Sequence, residues 1–275
     1  MCKADELKVI LTYLPMLCVV GQCDLRLMFV PMFDDYQDMA VHVRTTVRYT
    51  YSFIQSAALQ IGQDILEVDS FGGYALNGVD GALGPNGHSV PTVGGYPVYR
   101  RQPDLKTTVF NVVIGDNMNV TMRTFKDFVA VEVSGADEAT FHAVTGLMGS
   151  FDGKMLARNG TDLENNINAL GQDWQVQPDE EMMFRSVRSP QAPELCLLPQ
   201  DIGPDKEARR LRRRLTEERI PRDQVEKGCA HLTGNIYVNC VNDVVASGDK
   251  LMASLNETKV QHNFPKIAAA PISPK

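Results

Sequence analysis

The chain of 275 residues holds one tryptophan and five histidines, and its six cysteines include no Cys-x-x-Cys pair. Without that pairing, and with no histidine at ligand spacing from a cysteine, a zinc site has no support. No His-Glu-x-x-His occurs, and no Ser or Cys nucleophile motif accompanies His42 or His142, so nothing local announces a hydrolase. Gly81, Gly84 and Gly87 are glycine-rich, but no helix pattern and no Lys-Ser/Thr follow, which argues against a phosphate loop. No apolar run is long enough to span a bilayer. Positive charge is in deficit: the formal net charge is -7, against a nucleic-acid partner, which favours a basic face.

What is present is mostly alternation. Met39, Val41, Val43, Thr45 and Val47 alternate with Ala40, His42, Arg44, Thr46 and Arg48, the pattern of a half-buried strand. Further strands are expected over residues 52–59, 64–68, 107–114, 118–125 and 128–133. Turn residues at 61–64 and 115–117 set hairpins between them. Residues 72–95 read as loops around short strand pieces. Many short strands with close turns predict a mainly β fold, an antiparallel sandwich or barrel. The hydrophobic content of 44% is ordinary for a globular core.

The character changes at both ends. Residues 9–21 form an apolar run behind Lys3 and Lys8, but Asp5, Glu6 and Pro15 degrade it as a secretory signal; a first buried strand is the alternative. After Cys196 come a linker at 199–204 and helical patterns at 205–218, 222–232, 235–246 and about 249–260. The expected organisation is thus a signal-like or disordered start (1–20), a β domain (21–198), an α-helical appendage (205–262) and a loose tail (263–275). The basic run Arg209 to Arg214 reads as a solvated helix face first and a processing site second. Cys229 and Cys240, eleven apart on consecutive helices, suit a bridge across a helical hairpin. Sequons at Asn119, Asn159 and Asn256 tilt the chain towards secretion.

The segment GLMGSFDGKMLARNGTDL (146–163) gathers Ser150, Asp152, Asn159, Thr161 and Asp162, with Glu164 next. Hard oxygen ligands at irregular spacing suit calcium, which takes six to eight of them; a solvated polar turn is the alternative. Trp174 reads as a core residue rather than a stacking platform.

Several pieces, in order, resemble a von Willebrand factor type D domain over roughly residues 21–196. They are GQCDLRL, SAALQIGQDILEV, LNG at 76–78, AVTGLMGSFDG and GQDWQV at 171–176. The resemblance implies a disulfide from Cys23 to Cys196, which on the chain-entropy model would contribute about 4–5 kcal/mol. It also implies a calcium site, with Asp152 and Asp162 as carboxylate ligands, Asn159 as an amide ligand, Ser150 in place of an Asn ligand and Lys154 giving its carbonyl. A glycan on Asn159 would compete with that role. The family's opening segment is missing, and Thr145 and Met148 stand where its loop carries two cysteines, which removes the thiol-exchange chemistry some members are credited with. Cys2 and Cys18 either pair with each other or stay free.

The expected function is a non-enzymatic extracellular or cell-surface adhesion and assembly module: a calcium-supported β scaffold that presents loops to an extracellular protein or glycan, with self-association open. The alternatives are a structural fragment of a larger extracellular polyprotein and a hydrolase with a non-local triad.

Overall fold

The computed structural model describes residues 9–11, 23–34, 37–48, 51–81, 89–105, 107–114, 118–125, 128–163, 166–185, 221–231, 237, 240–241 and 244. The chain divides into two compact units, 1–218 and 219–275. Unit 1 is mainly β, as the alternation requires. Its strands are β1 (Val9–Leu11), β2 (Asp24–Asp34), β3 (Gln37–Arg48), β4 (Tyr51–Ile61), β5 (Asp64–Asp69), β6 (Tyr74–Leu76), β7 (Val79–Gly81), β8 (Ser89–Val93), β9 (Tyr96–Asp104), β10 (Thr107–Ile114), β11 (Met118–Phe125) and β12 (Phe128–Ser134). Within the apolar run of residues 9–21, Val9–Leu11 pairs antiparallel with β12.

Two six-stranded antiparallel sheets result, ordered β2-β3-β4-β5-β6-β7 and β1-β12-β11-β10-β9-β8. The first is a meander of sequence neighbours throughout and the second from β8 to β12, because short turns bring adjacent strands together; β1 adds to the β12 edge from the far end of the chain. One face of each sheet is apolar. Leu25, Val41, Val43, Leu59 and Val68 from the first meet Phe110, Val112, Val120, Met122 and Val131 from the second in one buried cluster. Phe53 of β4 lies 4.4 Å from Phe128 of β12, ring centre to ring centre. Alternation breaks in β2, where the register shifts between Arg26 and Met28. The bulge buries both Leu27 and Met28, which a regular strand would point to opposite faces.

Two short helices of unit 1 were not legible in the sequence. Helix α1 (Glu138–Phe141) is capped by the Asp137 side chain, and α2 (Ile167–Asp173) by that of Asn166; α2 delivers Trp174 to the core at 4% exposure. Residues 181–185 return across the outer face of the first sheet, where Met183 and Phe184 bury against Ala40, Ala58 and Ile65.

In unit 2, α3 (Arg222–Cys229) buries Val225 and Cys229. Tyr237, Cys240, Val241 and Val244 are also helical. Cys229 and Cys240 are joined by a disulfide, with Cα atoms 6.0 Å apart. The 205–218 and 249–260 helices, the Arg209–Arg214 run, Cys2, Cys18, Glu164, Cys196 and Asn256 lie outside the described residues.

Candidate functional site

The oxygen-rich loop begins as a piece of sheet. Thr145 and Phe29 exchange both backbone bonds, at 2.8 and 2.9 Å, and the amides of Leu147 and Met148 donate to the carbonyls of Arg26 and Leu27. Residues 145–148 thereby cover part of the free edge of β2. This approach needs Gly146: its φ is +129°, and a Cβ there would sit 2.6 Å from the Leu27 carbonyl oxygen. Residues 174–176 cover another stretch, with Arg26 N–H donating to the Trp174 carbonyl and Val176 N–H to that of Asp24.

Beyond Gly149 the chain makes a tight turn in which Ser150 N–H donates to the Lys154 carbonyl at 2.9 Å. The Ser150 hydroxyl donates to Asp152 Oδ1, and Lys154 Nζ lies 2.5 Å from Asp152 Oδ2. The hydrogen bonds from Lys154 and Ser150 hold the Asp152 carboxyl at about 2. Asp152, and more weakly Asp162, act on the Lys154 ammonium and raise its pKa. A small hairpin follows, closed by the bridge between Leu156 and Asp162. At its tip the Asn159 side-chain oxygen accepts from Thr161 N–H at 2.9 Å.

Ser150, Asp152, Lys154 and Asp162 are thus brought to one place, with a cation already there: the Lys154 ammonium. That ammonium is paired with Asp152 and is acted on more weakly by Asp162. Asn159 is not part of this arrangement, since its amide oxygen serves its own turn. Among the described residues, no group of three or more His, Cys, Asp or Glu side chains is arranged to hold a metal.

Behind the loop lies a cluster that sequence reading missed. Arg158 donates from its amide to Asp173 Oδ2 and from Nε to the Asp173 carbonyl, both at 2.6 Å, and from Nη2 to the Gln175 carbonyl at 2.8 Å. Its Nη1 pairs with Glu180, which also meets Arg26 at 3.3 Å. The guanidinium lies 5.0 Å from the Trp174 ring centre, and Trp174 Nε1 donates to the Leu156 carbonyl at 2.9 Å. Burial would raise the Glu180 carboxyl, but the Arg158 hydrogen bond and the Arg26 and Arg158 charges outweigh it and keep it below its usual range. No periodicity or motif marks an arginine in a turn as a hub.

The candidate bases differ sharply. His142 is exposed, and its Nδ1 lies 2.9 Å from the Ala139 carbonyl. His42 is 3% exposed on the outer face of β3, where burial first and the Arg26 charge second push its pKa down to about 3. Asn119 of β11 is half-buried and accepts from Asn111 Nδ2 at 3.2 Å, whereas Asn159 stands exposed.

Cys23 is buried and disulfide-bonded, and its partner lies outside the described residues. Its amide accepts no freedom either: Cys23 N–H donates to Thr45 Oγ1 at 2.9 Å. Cys229 and Cys240 join each other, so the partner is Cys2, Cys18 or Cys196. Comparison of the chain with protein-family models and with curated proteins finds no match.

Proposed function

We propose that this protein is a non-enzymatic extracellular or cell-surface adhesion and assembly module, in which a von Willebrand factor type D-like β body presents loops to a protein or glycan partner. The observation that carries this reading is the sulfur chemistry: four of the six cysteines are in disulfides, Cys229 with Cys240 and Cys23 with one of Cys2, Cys18 and Cys196. Structural disulfides persist in oxidising compartments and are rare in the cytosol. The resemblance assigns Cys196 as the partner of Cys23. The pinning of residues 145–148 to β2 supports the same reading, because it gives the AVTGLMG segment a structural duty that does not need the two absent cysteines.

Calcium belongs to this reading as a competitor of Lys154. The ion would take Asp152, Asp162 and Ser150 with the Lys154 carbonyl, and it would supply charge neutralisation and rigidity to the loop. Lys154 must leave Asp152 for this, so Lys154→Met is expected to deepen the calcium dependence of the melting temperature. Equal melting of this variant with calcium and with chelator would remove calcium from the proposal.

Non-reducing peptide mapping of the secreted protein tests the whole reading. A cross-linked Cys23–Cys196 peptide is the expected result. A Cys23 peptide linked to Cys2 or Cys18 would defeat the family assignment, and retention of reduced protein inside the cell would defeat the extracellular role.

A further inference from the structure

We propose that residues 175–185 form an acid-sensitive strap over the first sheet, which opens on protonation of His42 beneath it while the two β-sheets stay folded. The strap is fastened by contacts spread along its length, among them the bridge between Leu25 and Gln175, the bond from Arg158 Nη2 to the Gln175 carbonyl and the Arg44 guanidinium 4.4 Å from the Phe184 ring centre. Val176 N–H donates to the Asp24 carbonyl, Arg185 N–H to Glu67 Oε1 at 3.0 Å, and Glu180 joins Arg26 and Arg158; Met183 and Phe184 supply its apolar contact.

His42 lies directly opposite Arg26 in the β2–β3 register. The charges acting on it are Arg26 from β2, Arg158 from the loop and Glu180 from the strap. On the β4 side its partner is the apolar Ala58, and beyond that Glu67 of β5 is already engaged by the Arg185 amide. In the next row Asp24 and Arg44 are paired with each other at 2.6 Å. A proton on His42 therefore adds a third positive charge beside two guanidiniums that share one carboxylate, in a site 3% exposed. Opening the strap gives the imidazole water and returns it towards its ordinary pKa of 6.5, so protons bind the open state in preference.

The size of the effect follows from that difference. With His42 neutral under the closed strap, the opening constant rises about thirtyfold between about pH 7.5 and about pH 5. Glu180 stays ionised across this window because its carboxyl lies below its ordinary value, so the window isolates the histidine.

Hydrogen exchange of the full, disulfide-intact chain tests the proposal, with rates corrected for intrinsic pH dependence. The amides of Val176 and Arg185 are expected to lose about thirtyfold in protection over that window, while those of Phe110 and Val112 in β10 keep theirs. His42→Gln should flatten the pH response. Glu180→Gln, which retains the histidine, should keep the response on a larger opening constant. Unchanged protection of Val176 and Arg185 overturns the proposal. So does an equal loss in β10, which would be global unfolding, or a pH response that survives in His42→Gln.

Discussion

Glu180 bridges two guanidiniums from different parts of the chain, Arg26 of β2 and Arg158 of the oxygen-rich loop. Glu180→Gln removes the charge but not the shape, and leaves both arginines without their shared counter-ion in a partly buried site. Chemical denaturation should show a loss of about 1–3 kcal/mol. Gly146 is the second informative residue. Ala at this position adds a Cβ against the Leu27 carbonyl at a backbone angle L-residues rarely adopt. Gly146→Ala should cost about 2 kcal/mol or more, and a change below a few tenths would contradict the close approach. Neither role could be read from the sequence. Arg158 sits in an exposed-looking turn, and nothing about Gly146 says that a strand edge 119 positions earlier abuts it.

At the scale of elements, alternation was sufficient where strands are regular. The bounds of β11 follow from alternation between turn residues, and those of β10 from a nearly continuous apolar run that is buried at every position but Val113. Strand β9 escaped because it is mostly half-exposed and carries two arginines and two prolines, so it shows no continuous apolar face. Strand β2 was visible only by resemblance, since the bulge at Leu27 breaks its period. Helix α2, at seven residues, is too short for a helical pattern to declare itself. The oxygen-rich loop was legible as a cluster of hard donors, but not the turn that diverts Asn159 to Thr161. Sequon use follows from element type. Expression through a secretory pathway should place a glycan on exposed Asn159 and leave Asn119, half-buried in β11, bare; intact-mass and glycopeptide analysis read both sites.

For the molecule as a whole, acid is the natural perturbant. The His42 pKa falls from 6.5 to about 3 on folding, through burial and then the Arg26 charge. The unfolded chain therefore binds the extra proton between those values. The histidine's contribution is complete above about pH 6.5 and is lost as pH falls towards 3, with a slope of at most about 1.4 kcal/mol per pH unit. Denaturant midpoints taken across that window should fall in the wild type and flatten in His42→Gln. In unit 2, a disulfide spanning eleven positions closes a short loop. Replacing both Cys229 and Cys240 by Ala should cost that unit about 3 kcal/mol at most on the chain-entropy model, read as lost helicity by circular dichroism on mild heating.

The covering of the β2 edge by residues 145–148 and 174–176 sets a timetable for biosynthesis. Strand β2 ends at Asp34, so its edge partners emerge from the ribosome roughly 110 to 140 residues later. At about 5–20 residues per second, the nascent chain carries a raw hydrogen-bonding edge for roughly 5–30 seconds. A chaperone that masks extended segments would find its client in this interval. A ribosome stalled before residue 145 would release a chain whose first sheet is built but still able to recruit a foreign strand.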